Sequence, residues 1–156
     1  MENEHTHRVV AWWNAAKTGL AESDSAPNAI HFAAPPQFGG LEGRWSPEDL
    51  LLCAVAGCFT TTFRVVADYS KFSYTDLQVE VEGLVRKAES GYEFAGITLR
   101  PTLTIADPNE RLRAEQLLEK TKKLCLVSRA LSLTQTLLPQ IRVTARAGST
   151  DAPAAV

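Results

Sequence analysis

An α+β domain with a long helix among antiparallel strands is the fold that this 156-residue sequence predicts. Three observations carry that reading. A helix start at Ser46 leads into a long apolar run, and two segments with period-two alternation follow it. Helical patterns then run from Asp107 to Pro139 and end before a short apolar segment, Ile141-Arg142-Val143. Strands, long helix, strands, helices and a strand, in that order, belong to the α+β class. The length suits a single domain over residues 1–156, with loose ends at 1–7 and 148–156.

In chain order, residues 8–34 read as short strands and turns. Arg8-Val9-Val10-Ala11-Trp12-Trp13 and Ala29-Ile30-His31-Phe32 are rich in strand formers, with a polar stretch, Lys17 to Asn28, between them. Pro35 to Gly43 is a loop by its proline and glycine content. Ser46 is a good helix N-cap, Pro47 suits the first helical position, and Asp49 completes a capping box with an acid in place of Glu or Gln. Glu48 and Asp49 also put negative charge where the helix dipole favours it. From Leu50 to Phe59 the helix is apolar on nearly every side, which predicts a helix surrounded by protein. Leu50 to Ala67 falls short of a membrane span, because it holds Thr60-Thr61-Thr62 and Arg64 within eighteen residues.

Leu77, Val79 and Val81 alternate with Gln78, Glu80 and Glu82; Ile97, Leu99, Leu103 and Ile105 alternate with Thr98, Arg100, Thr102 and Thr104. Each pattern predicts a half-buried antiparallel strand, with Glu89-Ser90-Gly91 as the turn. Asp107-Pro108 caps a helix through Leu112, Leu117, Leu118 and Leu124. A second helical segment takes in Val127, Leu131 and Leu138 and stops at Pro139.

Composition narrows the function. Sixteen basic and eighteen acidic residues give a net charge of −2, so no electrostatic feature calls for nucleic acid. Three cysteines, Cys53, Cys58 and Cys125, do not form a secreted disulfide framework. The polar N-terminus is not a secretory leader, and the expected setting is the reducing cytoplasm. Cys53 and Cys58 sit roughly 140° apart around one helix and cannot pair, so any internal disulfide involves Cys125. Free cysteine commonly packs as a small hydrophobe, and that is the reading for Cys53. His5 and His7 lie in a polar terminus without companion ligands, which predicts no metal site, and His31 reads as a strand residue. Lys120, Lys122 and Lys123 form a solvated face near a helix C-terminus, and Trp12-Trp13 and Phe59 with Phe63 read as core. No phosphate loop, Cys-x-x-Cys or nucleophile elbow occurs, and no cofactor is expected.

The string Ser46-Pro47-Glu48-Asp49-Leu50-Leu51 through Ala56-Gly57-Cys58-Phe59, with Cys125 after a later helix, resembles the OsmC/Ohr family of osmotically inducible and organic hydroperoxide resistance proteins. The likeness in element order is clearest over residues 40–145. It implies an OsmC-like fold, an intertwined homodimer, and a thiol peroxidase acting on organic hydroperoxides. In that role Cys58 attacks the peroxide as thiolate and becomes a sulfenic acid. Cys125 resolves it as a disulfide, and an external dithiol, in the family often a lipoylated protein or dihydrolipoamide, restores both thiols.

Glu48 matches the family glutamate that holds an arginine from the N-terminal strand region. Here that region, Trp13 to Gly19, has no arginine, which leaves Lys17 or Arg44 as substitutes; Leu126 stands where many members have proline. Ten residues put Glu48 about 15 Å from Cys58 along one helix. If both serve one site, either Glu48 comes from a second subunit or a long cationic side chain spans the gap. A second reading is a non-catalytic module of the same fold that holds a small apolar ligand at the dimer interface.

Overall fold

The computed structural model describes residues 4–13 and 16–144; the expected loose tail at 148–156 and Met1 to Asn3 lie outside the described residues. The chain divides into two compact units, Met1–Leu51 and Leu52–Val156.

In the first unit, β1 (Val9–Trp13), β2 (Gly19–Ser23) and β3 (Ala26–Phe32) form an antiparallel sheet in that order. The polar stretch between the two expected strands therefore contains a strand of its own. Gly19 and Ala21 are small and Glu22 and Ser23 polar, so β2 has little side-chain signal and is held by backbone pairing on both edges. Gly19 faces Phe32 so closely that a β-carbon there would meet the ring at 2.2 Å. The tryptophans are not core: Trp12 is 51% and Trp13 60% exposed.

Helix α1 (Pro47–Tyr69) begins as the sequence predicts. The Ser46 N–H and hydroxyl donate to Asp49 Oδ2 at 2.9 and 2.8 Å, and the Asp49 N–H donates back to Ser46 Oγ at 3.1 Å. That reciprocal pairing satisfies the first-turn donors that the helix cannot. At the far end Lys71 takes a left-handed φ of 49°, and the Phe72 N–H reaches back to the Ala67 carbonyl at 2.9 Å. This is a Schellman stop with lysine where glycine is usual.

The second unit is built on a long hairpin, β4 (Asp76–Ala88) with β5 (Gly91–Ile105), antiparallel through the turn that ends at Gly91. Gly91 has φ 122°, a conformation that L-residues avoid. Two 3-10 turns aside, α2 (Arg111–Leu124) and α3 (Leu126–Ala130) follow, then β6 (Gln135–Leu137) and β7 (Gln140–Val143). Asp107 caps the approach to α2 by accepting the Asn109 N–H at 2.9 Å.

Both β6 and β7 pair with β5 in parallel, so this sheet is mixed. β6 pairs with Ile97–Leu99 and β7 with Thr102–Ile105; Pro101, which has no N–H to offer, falls in the gap. The expected second helix survives only as the short α3. Leu131, Leu133 and Leu137 lie past it and pack against the core from extended chain.

The core of this unit joins one face of α1 to β5 and α2. Val55, Phe59, Phe63, Val66 and Ala67 are the buried residues of α1, spaced as one helical stripe. They meet Ile97, Leu99, Leu103 and Ile105 from β5 and Ala114, Leu117 and Leu118 from α2. By length and composition alone α1 would cross a membrane, but this packing makes it a core helix. It is not surrounded, however: Cys53, Ala54, Gly57, Thr61 and Val65 are exposed. The expectation of all-round burial fails for the single chain because sheet and α2 cover only one side.

Candidate functional site: a thiol pair at a helix junction

Cys58 sits beside the buried stripe of α1, half-buried and packed against the core. Cys125 is fully buried at the junction of α2 and α3, where extended backbone (φ −59°, ψ 113°) breaks one helix from the next. Its N–H closes α2 by donating to the Thr121 carbonyl at 2.8 Å, and its carbonyl opens α3 by accepting the Arg129 N–H at 3.0 Å. The fold thus brings Cys125, 67 positions after Cys58 in sequence, close enough that each thiol influences the other's proton affinity. All three cysteines are free thiols.

The chain re-enters against Cys58 with its amides forward. The Val127 N–H donates to Cys58 Sγ at 3.5 Å, and Thr62, one turn along α1, brings its Oγ1 to 3.9 Å. Burial is the largest influence on the Cys58 thiol and pushes its pKa up. The Val127 amide, the Cys125 thiol, the Thr62 hydroxyl and the Leu126 amide pull it down, and together they prevail, so it lies below the ordinary value. Cys125 moves the other way. Burial raises it, Ser128 offsets part of that through its hydroxyl and N–H, and the adjacent Cys58 raises it again. Of the two sulfurs, Cys58 ionises first while Cys125 keeps its proton.

The surroundings of α3 hold this arrangement. Gln135 Nε2 donates to the carbonyls of Ser128 at 2.8 Å and Leu131 at 3.3 Å, and Lys122 Nζ donates to the Gln135 carbonyl at 2.9 Å. Lys122 is therefore engaged in the fold; Lys120 and Lys123 are the solvated members of that lysine cluster. Sequence reasoning missed Thr62, Val127 and Ser128. Thr62 is signalled by its i+4 spacing from Cys58, and Ser128 by its position three residues after a helix-capping cysteine.

Glu48 lies in the first turn of α1. Its Oε2 is buried without a hydrogen-bond partner among the described residues, an arrangement that a cation would relieve. Lys17 and Arg44 are both exposed, as are His5, His7 and His31. No lysine or arginine is among the leading influences on the Cys58 sulfur. Cys53, read from the sequence as a packed small hydrophobe, is exposed on the uncovered side of α1. Among the described residues no group of three or more His, Cys, Asp or Glu is arranged to hold a metal ion.

Comparisons with known proteins agree with this architecture. The chain is 24% identical over 131 residues to the uncharacterized protein YmaD of Bacillus subtilis (strain 168), covering 82% of this chain and 87% of that one. It superposes with a TM-score of 0.73 and 26% identity on an organic hydroperoxide resistance protein OsmC from Legionella pneumophila, covering 91% of this chain and all of the other. An OsmC-like protein from Mycoplasma pneumoniae matches with a TM-score of 0.77 and 19% identity, over 89% and 99% of the two chains. Residues 40–137, which hold α1, both cysteines of the pair and the whole of β4 and β5, match the family model for OsmC-like proteins. The chain belongs to the OsmC-like family.

Proposed function

We propose that this protein is a cysteine-based peroxidase that reduces organic hydroperoxides in the cytoplasm. The observation that carries the reading is the juxtaposition of two thiols with opposite proton affinities, one poised to ionise and one holding its proton. Membership of the OsmC-like family and the likeness to the Legionella organic hydroperoxide resistance protein support a role in peroxide resistance. The Cys58 thiolate attacks the terminal peroxide oxygen, the O–O bond breaks, and the alkoxide leaves with a proton from solvent as the alcohol. Cys58 is then a sulfenic acid. Cys125 attacks its sulfur, its proton leaves with the hydroxyl as water, and a Cys58–Cys125 disulfide forms. A dithiol reductant, such as a lipoylated protein, returns both to thiols and is itself oxidised to a disulfide.

Glu48 serves as a positioning carboxylate whose cation comes from outside the described contacts. The uncovered apolar side of α1 is accounted for by a homodimer, and a mass of one chain in dilute-solution light scattering would overturn that part. A hydrocarbon tail gains about 0.8 kcal/mol per buried methylene, so alkyl hydroperoxides are expected to outpace hydrogen peroxide. The deciding experiment titrates free thiols before and after one equivalent of cumene hydroperoxide. Loss of two thiols per chain is expected, abolished by Cys58→Ser and diverted to over-oxidation by Cys125→Ser. The absence of a cation among the leading influences on Cys58 favours a second reading, a non-catalytic module for a small apolar ligand. Unchanged thiols after the peroxide dose would select it.

A further inference from the structure

Ser128 is a buried serine that the scheme above does not use. It is 4% exposed, and its Oγ is closed off from solvent with no hydrogen-bond partner among the described residues. A buried hydroxyl left so costs stability unless something else justifies it. It stands three residues after Cys125, the N-cap residue of α3, on the same first turn; the Cys125 side chain makes no capping hydrogen bond in the resting thiol, and the nearby Ser128 eases loss of the Cys125 proton. Its own carbonyl is fixed by Gln135 Nε2 at 2.8 Å, which anchors the turn that carries it.

We propose that Ser128 is a positioning residue for disulfide closure: its buried hydroxyl donates to the Cys125 sulfur as that sulfur attacks the Cys58 sulfenic acid. The inference rests on the peroxidase reading and adds a residue to it. Before oxidation, negative charge on Cys58 helps to hold the proton on Cys125. Conversion of Cys58 to an uncharged sulfenic acid removes that influence. Burial then opposes loss of the proton and Ser128 favours it, so the hydroxyl sets how readily Cys125 becomes a nucleophile. In the closing step the Cys125 sulfur forms the S–S bond, the Cys58 S–O bond breaks, and the Cys125 proton departs with the hydroxyl as water. Ser128 donates a hydrogen bond throughout and transfers no proton.

The test follows Cys58 sulfenic acid and the disulfide by quenched-flow mass spectrometry after one equivalent of cumene hydroperoxide, across pH, in the wild type, Ser128→Ala and Ser128→Thr. Loss of a hydrogen bond to a developing charge is expected to slow closure about tenfold in Ser128→Ala. The midpoint of its pH profile should move to higher pH, and sulfinic acid should accumulate under excess peroxide. Ser128→Thr, which keeps the hydroxyl, should restore both rate and midpoint; a purely packing role would not move the pH profile. Closure in Ser128→Ala at the wild-type rate and midpoint would overturn the inference while leaving the peroxidase reading intact. If the wild type forms no sulfenic acid, the peroxidase reading fails. The Ser128 contact is then judged by the pH profile of Cys125 alkylation in Cys58→Ser protein, where an unshifted Ser128→Ala profile overturns it.

Discussion

Replacing Leu126 by proline tests the junction geometry where it touches both stability and chemistry. Leu126 opens α3, a position where proline is favoured because the helix has no acceptor for that N–H. Cys125 before it is extended, with ψ 113°, as a residue preceding proline should be. The leucine side chain is 72% exposed, so its removal forfeits little burial. A compatible proline stabilises by about 0.4–1 kcal/mol through the unfolded chain. For a protein of this size that is a rise of about 1–4 °C in Tm. The substitution also removes the Leu126 amide, the last-ranked of the influences that lower the Cys58 pKa, and leaves the Val127 donor at 3.5 Å.

The alkylation midpoint of Cys58 should therefore move to higher pH, with the Val127 donor retained. Calorimetry of reduced protein at one fixed concentration reads the first effect. Iodoacetamide alkylation across pH, in a Cys53→Ser background that removes the exposed competitor, reads the second. A Tm that falls by several degrees, or a midpoint that moves to lower pH, would refute the reading of the junction.

Three further outcomes follow from the same structure. Phe59→Ala, at a fully buried position facing the sheet, should cost about 3–5 kcal/mol in urea unfolding, and a loss under 1 kcal/mol would contradict its place in the core. Lys71→Gly relieves a left-handed residue worth roughly 1–2 kcal/mol, less about 0.5–1 kcal/mol for glycine's freer unfolded state, so a small gain is expected where Lys71→Ala gives none. The thiol pair should also make stability depend on pH. Cys58 is depressed, so its contribution is present above the ordinary value of 9.0 and lost as pH falls through its folded pKa. Cys125 is raised, so its contribution is full below 9.0 and lost as pH rises through its folded pKa. Cys125→Ala should abolish that alkaline loss in urea titrations of the reduced protein and move Cys58 alkylation to higher pH.

Local signals in the sequence carried the parts of the fold that are locally determined. The Ser46–Asp49 box, the alternation of β4 and β5 and the Asp107 cap each involve residues a few positions apart, and each forms as read. The misses have physical causes. β2 is small and polar, so only its two backbone partners define it. Val127, Leu131 and Leu138 lie four and seven residues apart, a spacing that mimics a helix until the parallel pairing of β6 to β5 overrides it. Trp12 and Trp13 read as core because aromatic residues usually are, yet both are exposed in this chain. The approach of Cys58 to Cys125 depends on how α2 ends, which no pattern around either cysteine encodes; the family resemblance supplied it.

Gly57 offers the sharpest test of whether α1 is covered by a second copy. A glycine in mid-helix costs about 1 kcal/mol relative to alanine. Within this chain nothing requires it, because a β-carbon there would meet no atom within 4 Å. Its neighbours do not need it either: the Thr60 and Thr61 hydroxyls donate to its carbonyl, both at 2.9 Å, and Thr61 also to the Cys58 carbonyl at 3.1 Å, acceptors that any residue supplies. The proposed homodimer would supply a reason for glycine, through the close approach of another backbone to the exposed side of α1. Gly57→Ala should stabilise an isolated chain by about 1 kcal/mol. Gly57→Leu should leave its secondary structure intact but reduce the light-scattering mass from two chains to one. A Gly57→Leu protein that stays dimeric at low concentration would remove α1 from the interface, and the apolar side of the helix would need another explanation.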